Sequence, residues 1–66
     1  MQDIKEGDYV RTVLGIGKVT SLEQDLINID LVKKEMIDYN SMRFNIQKHS
    51  PNIIELIEVR RLCEWL

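Results

Sequence analysis

Apolar and polar residues alternate along several short stretches of this chain. In residues 9–14, Val10 and Thr12 fall on one face, and Tyr9 and Arg11 fall on the other. A period of two is typical of a half-buried β-strand, because successive side chains of a strand point to opposite faces. The pattern therefore predicts a strand whose Val10 face lies inward and whose Tyr9 face lies outward.

Further stretches carry the same period. Residues 18–22 predict a second strand, and residues 26–31 have the cleanest alternation, with their isoleucines on a shared face. Residues 36–40 and 42–46 also alternate, and the pattern leaves open whether they form two strands or one strand with an irregular approach. The methionines at 36 and 42 are expected to fill the core, because flexible thioether side chains suit irregular gaps.

The glycines mark the bends between these strands. Gly7 begins a turn before the first strand, and Gly15 and Gly17 stand close together in front of the second. Two glycines so close predict a tight bend or a β-bulge. They precede Lys18 but do not match a phosphate-binding loop, which needs four residues between its glycines and then a lysine that opens a helix.

The last third of the chain carries a helical signal. Ser50 followed by Pro51 predicts one short helical or 3₁₀ turn before the last strand, because serine caps free amides and proline suits the first helical position. The strand that follows is expected to continue through Val59. In the tail of residues 59–66, two leucines spaced by four residues predict one short amphipathic turn.

Length and composition limit the architecture and the setting. The 66 residues make one domain, and a chain of this size buries only about 60% of the surface that its unfolded form exposes. One cysteine cannot form an internal disulfide and one histidine cannot anchor a zinc site, so no metal is expected and a reducing cytoplasm is inferred. No signal-peptide pattern and no bilayer-length apolar run is present, so no membrane association is expected.

The order of these elements resembles a known fold. Several short strands with a helical turn before the last one is the layout of SH3-like barrels. Residues 5–12 (KEGDYVRT), with Gly15, Gly17 and Val19, resemble the opening of KOW-type and related SH3-like domains. The expected fold is therefore all-β: a small, SH3-like, partly open barrel of about five strands that takes up residues 1–66.

A second segment makes the resemblance more specific. Residues 48–59 (KHSPNIIELIEV) resemble a segment that recurs in small proteins of phages and prophages of low-GC Gram-positive bacteria, which also carry an opening like GDYVRT. In those proteins the segment often runs into another Gly-Asp turn. Here Arg60 and Arg61 follow instead, so a further C-terminal strand is not carried over. The resemblance implies a fold, a mobile-element origin and a bacterial cytoplasm, and it implies no activity.

No set of residues predicts catalysis. His49 has no partner placed by a nucleophile motif, and Cys63 is expected to serve as a small hydrophobic residue, with a reactive thiol as the alternative. The carboxylates of Asp3, Glu6 and Asp8 are expected to be solvated. The chain is therefore expected not to be an enzyme and to need no cofactor.

Tyrosine and arginine supply the first candidate binding residues. Tyr9 and Arg11 share the predicted outer face, and both residue types are enriched at binding hot spots. The alternative is that Tyr9 packs under a loop while Arg11 pairs with an acid. Tyr39 and Arg43 are candidates of the same kind, in the stretch whose strand register is open.

Trp65 is the only tryptophan and the last candidate. Either it folds back to cover an open barrel end, or it docks on a partner, including a second copy of this chain in a homodimer. Capping is favoured, because so small a core needs every large side chain.

The expected role is that of a phage- or prophage-type protein that binds a bacterial or phage protein, as an inhibitor or adaptor. The contact is expected at an exposed strand edge or at the face of Tyr9 and Arg11. The alternative is a KOW-like barrel that binds nucleic acid through a local basic stripe, despite the net charge of −2. The cations of that stripe would be Lys5, Arg11, Lys18, Lys33, Lys34, Arg43 and Lys48.

Overall fold

The computed structural model describes residues 4–35, 38 and 40–66. The strands are β1 (Tyr9–Thr12), β2 (Gly15–Leu22), β3 (Leu26–Lys34), β4 (Arg43–Gln47) and β5 (Ile53–Ile57). A 3₁₀ turn (Val59–Arg61) and a one-turn helix α1 (Leu62–Trp65) follow them. The strands pair in antiparallel fashion in the order β4-β3-β2-β1-β5. The all-β class and the five strands predicted from the sequence are confirmed.

The last strand returns to pair with the first. Tyr9 stands opposite Ile57, and Arg11 stands opposite Glu55. In the part of the chain that the structure describes, β4 and β5 end the strand order and do not pair with each other, so the sheet stays open.

Thr12 and Gly15 form the tight connection between β1 and β2. The Thr12 hydroxyl donates a hydrogen bond to the Gly15 carbonyl at 2.9 Å and accepts one from the Leu14 amide at 3.1 Å. Gly15 has a φ of +139°, and a Cβ at this position would overlap the carbonyl oxygen of Lys33. Glycine is therefore required by the backbone angle and by the close approach of β3, as the predicted bend implies.

Gly17 is needed for a different reason. A Cβ there would overlap Cγ2 of Ile29 on β3. The register between β2 and β3 shifts between Ile16 and Gly17, and again between Val19 and Ser21. The pairing is therefore irregular beside the two glycines, as the predicted bend or bulge implies, and such irregularities bend a strand and increase its twist.

The core lies on one face of the curved sheet. Its buried cluster consists of Val10, Val19, Ile27, Ile29 and Ile46. Residues that stand opposite each other on antiparallel strands share a face, so the alternation within each strand delivers these side chains to the same side. The inward positions predicted for β1 and for the isoleucines of β3 are confirmed.

The segment before β5 differs from its prediction. Ser50 and Pro51 begin a β-turn, in which the Ile53 amide donates to the Ser50 carbonyl at 3.2 Å and the Asn52 amide donates to the Ser50 hydroxyl at 3.1 Å. Serine and proline suit the first two positions of a β-turn as well as a helix start. The Asn52 carbonyl also accepts from the Val13 amide at 3.1 Å, which holds the segment alongside β1. The predicted helical turn before the last strand is therefore wrong, and the helical segment lies after β5.

Two smaller predictions also change. β5 ends at Ile57, and Val59 begins the 3₁₀ turn instead of extending the strand. Met42 is 47% exposed just before β4, so it does not fill the core, while Met36 lies outside the described residues. None of the helices in the described part of the chain has the length and apolar character needed to cross a membrane.

Candidate functional site

Two rows of side chains cross the face of the sheet opposite the core, which is called the outer face below. The first row runs through Ile57, Tyr9, Lys18, Asp30 and Arg43. The second row runs through Glu55, Arg11, Ile16 and Lys33. Because directly opposed residues of antiparallel strands share a face, both rows point away from the core cluster.

Arg11 occupies the centre of the second row. Its Nε donates to Oε1 of Glu55 at 2.8 Å, and its Cζ lies 5.2 Å from the centroid of the Trp65 ring. The ion pair restricts the guanidinium, and a guanidinium held in place offers its flat face to an aromatic ring. The alternative expectation that Arg11 pairs with an acid is confirmed.

Trp65 brings the C-terminal segment, residues 59–66, onto the outer face. Lys33 Nζ donates to the backbone carbonyl of Trp65 at 2.9 Å, while Arg11 contacts the ring. The Trp65 side chain is half-buried. The prediction that Trp65 folds back is confirmed, although it contacts the outer face of the sheet instead of capping an end of the predicted barrel.

Two apolar residues of the outer face are shielded from solvent. Ile16 is 0% exposed and Ile57 is 4% exposed, and neither belongs to the core cluster. Ile16 stands opposite Arg11 and next to Lys33 in the second row, directly between the two residues that contact Trp65. Buried apolar side chains therefore lie on the same side of the sheet as the contacts of Trp65 with Arg11 and Lys33.

The other half of the outer face is polar and open. A groove of about 610 Å³ crosses β2, β3 and β4, and its polar lining includes Thr20, Asn28, Asp30, Arg43 and Asn45. The Thr20 hydroxyl donates to the Asn28 carbonyl at 3.2 Å. The lining offers hydrogen-bonding groups and charges of both signs.

The predicted binding residues fall into three groups. Tyr9 is half-buried on the outer face, with Lys18 Nζ 6.0 Å from its ring centroid, and Arg11 follows it on the same strand. Arg43 is exposed at the far end of the first row. Tyr39 lies outside the described residues.

His49 and Cys63, for which no catalytic role is predicted, both lie at the surface. His49 is exposed in the turn region before β5, and Cys63 is exposed on α1. The expectation that Cys63 acts as a small hydrophobic residue at the edge of the barrel is therefore wrong. The prediction of no catalytic role for either residue stays a prediction.

Glu55 and Lys33 hold this arrangement together, and neither role was among the predictions. Alternation within β5 places Glu55 and Ile57 on one face, which is the only sequence signal that could have pointed to the acid. Arg11 and Glu55 are 44 positions apart, and only the pairing of β1 with β5 brings them together. Lys33 appeared only among the cations of the nucleic-acid alternative.

Comparison of the chain with known protein families, with curated proteins and with solved structures finds no match.

Proposed function

We propose that the protein is a non-enzymatic SH3-like binding module that recognises another protein through its outer face. The observation that carries this proposal is the grouping of Tyr9 and Arg11 with Lys18 and Lys33 on that face, where Arg11 already contacts an aromatic ring, that of Trp65. Tyrosine, tryptophan and arginine dominate the hot spots of protein interfaces, because each combines a large contact area with a polar group.

The strand order supports the SH3-like part of the proposal. An antiparallel meander whose fifth strand returns to the first curls a small sheet toward a barrel. The resemblance of residues 48–59 to phage and prophage proteins supports the setting. In that setting the partner is a host or phage protein in the bacterial cytoplasm, and the module inhibits it or links it to another protein.

The outer edge of β4 gives such a partner a second contact. Ladder bonds join the Leu31 amide to the Met42 carbonyl at 2.6 Å and the Lys48 amide to the Asp25 carbonyl at 3.0 Å. Because these bonds alternate along an antiparallel pair, the backbone groups of Asn45 and Gln47 point away from β3. An extended segment of a partner adds to a sheet through groups of this kind.

The test is capture of a partner followed by titration of the purified pair. Wild-type protein is immobilised on resin and incubated with lysate of a Gram-positive bacterium. It should retain a partner protein that mass spectrometry can identify. In calorimetric titration, Tyr9→Ala and Lys18→Ala should each weaken binding by about tenfold or more, as truncation of a hot-spot residue does. Lys34→Ala is the matched control, because Lys34 is exposed but stands opposite Gly15, on the other face of β3. If all variants bind the partner with equal affinity, the partner does not bind at the outer face.

Nucleic acid is the second candidate, and one observation favours it. The two rows of the outer face carry four cations (Arg11, Lys18, Lys33 and Arg43) against two acids (Asp30 and Glu55). This local excess of positive charge contrasts with the net charge of −2 for the whole chain. Phosphate binding requires such a patch rather than a basic chain overall.

Fluorescence anisotropy with labelled single-stranded and duplex oligonucleotides tests this candidate. Binding should fall steeply as salt is raised, with a log–log slope of about −0.7 to −0.9 for each phosphate contacted. Lys18→Ala should reduce that slope by about one contact. Lack of binding at low salt would eliminate the candidate.

A further inference from the structure

The geometry points to a binding site beneath the C-terminal segment, which residues 59–66 occupy as a displaceable ligand. The partner that replaces them presents an aromatic side chain next to an acidic one. This inference rests on the proposed function and specifies its regulation: the module is closed while its own tail is seated, and open when a partner segment displaces it.

The contacts of Trp65 define what the site recognises. Arg11 lies against the ring, and Lys33 holds the backbone carbonyl of the same residue at 2.9 Å. Ile16 lies between these two cations in the second row and is completely buried. The site therefore combines an apolar floor with a cation on either side, which suits an aromatic side chain whose neighbours carry negative charge.

The charges around the site favour an acidic segment. Arg11, Lys18 and Lys33 stand on this part of the outer face, and Glu55 is already paired with Arg11. In the tail itself, Glu64 precedes the tryptophan. Glu64 is paired with Arg61 inside the tail, so an acid that is free to meet these cations is what a partner segment would add.

Among the residues that the structure describes, the tail contacts the sheet through the ring and the carbonyl of Trp65, which leaves it displaceable. The ion pairs of Arg60 with Glu58 and of Arg61 with Glu64 lie within or beside the tail and do not tie it to the sheet. Neither the 3₁₀ turn nor α1 contains a fully buried residue. Segments with few buried contacts and exposed backbone open locally without global unfolding.

The tail nonetheless competes strongly, because it is covalently attached. A segment tethered by a short linker acts at an effective concentration in the millimolar range. A free peptide of the same sequence should therefore bind wild-type protein poorly, and should bind well once the tethered tryptophan is removed.

In the experiment, a separate peptide with the tail sequence is added to the full-length protein. The probe is a fluorescein-labelled, amidated peptide of residues 58–66 with serine in place of Cys63. Anisotropy titration should show at least tenfold tighter binding to Trp65→Ala than to wild type. Adding Lys33→Ala to Trp65→Ala should weaken the binding several-fold, whereas adding Lys34→Ala should leave it unchanged. A peptide with alanine in place of its tryptophan should not bind.

A second measurement uses wild-type protein and does not require Trp65→Ala to fold. The same unlabelled peptide, with phenylalanine in place of its tryptophan, is invisible in tryptophan fluorescence. In excess, it should shift the emission of Trp65 to longer wavelength and increase its quenching by acrylamide. Equal peptide binding by wild type and Trp65→Ala overturns the inference. An unchanged Trp65 signal at about 1 mM peptide, near the effective concentration of the tail, also overturns it.

The two proposals fail in different ways. If peptide exchange fails while a captured partner still depends on Tyr9, the displaceable tail is wrong and the binding face stands. If exchange succeeds but no protein partner depends on Tyr9 or Lys18, the site exists and the proposed function is wrong.

Discussion

The three glycines differ in backbone angle and in the space around a Cβ. Replacing each by alanine therefore separates backbone strain from steric overlap as causes of destabilisation. Gly7 has a φ of +92°, and a Cβ there would have nothing within 4 Å. Gly17 lies outside the left-handed region, but its Cβ would overlap Cγ2 of Ile29. Gly15 combines a φ of +139° with an overlap onto the backbone of β3.

The expected losses of stability follow from these surroundings. Gly7→Ala should cost about 1–2 kcal/mol, the strain of an L-residue in the left-handed region. Gly17→Ala should cost about 1–3 kcal/mol, because Ile29 is 1% exposed and can yield only by disturbing the core.

Gly15→Ala should cost more than either, because both causes act at that position. The Cβ would meet the Lys33 carbonyl oxygen and lie 2.9 Å from the Glu35 amide nitrogen, so main chain would have to move. We expect a loss above about 3 kcal/mol, which is large against a total stability of about 3–10 kcal/mol for a chain of this length.

Urea unfolding followed by far-UV circular dichroism measures these differences. Gly7→Ala serves as the control for Gly15→Ala, because both glycines have a positive φ and only Gly15 lacks space for a Cβ. Ile29→Leu removes the branch methyl that Gly17→Ala would strike, so the double variant should lose less than the sum of the two single losses. If Gly15→Ala proves as stable as Gly7→Ala, the close approach of β2 and β3 is wrong.

Three further predictions concern the Thr12 hydroxyl, the Arg11–Glu55 ion pair and the exposed thiol of Cys63. Thr12→Val removes both hydrogen bonds of a buried hydroxyl and should cost about 1–3 kcal/mol in urea unfolding, whereas Thr12→Ser should recover part of the loss; equal losses would contradict the hydroxyl's role. A double-mutant cycle on Arg11→Ala and Glu55→Ala should give a coupling of about 0.2–1 kcal/mol that shrinks with added salt, because the two side chains are 34% and 38% exposed; a large coupling that salt leaves unchanged would indicate a buried pair. Without reductant, the exposed Cys63 should give covalent dimers on a non-reducing gel, and Cys63→Ser should abolish them without changing the circular dichroism spectrum.

The strands could be predicted from the sequence because their alternation is a local property. The inward face of β1 and the isoleucines of β3 followed from a period of two, and the irregular pairing beside Gly17 followed from two nearby glycines. The turn before β5 could not be decided locally, because Ser50 and Pro51 suit a helix start and a β-turn equally well. The bond from the Val13 amide to the Asn52 carbonyl settles that choice, and it depends on the pairing of β1 with β5.

The candidate site was predictable only in part for the same reason. Tyr9 and Arg11 could be assigned to the outer face from the alternation of a single strand. Glu55 and Lys33 join them through the strand order, which places β5 on one side of β1 and β2 with β3 on the other. The alternation along β3 and β5 does not specify which strands they adjoin. Trp65 could be expected to fold back because of its size, but its place beside Arg11 required the three-dimensional arrangement.

The central claim is that the tail is seated on the outer face and leaves it when a competing segment binds. Two-dimensional NOE spectroscopy tests it through contacts between the indole protons of Trp65 and the side-chain protons of Arg11. These cross-peaks should be present in the free protein and disappear as the phenylalanine form of the tail peptide is added. Absence of the cross-peaks in the free protein, together with indole shifts of an unfolded chain, would contradict it.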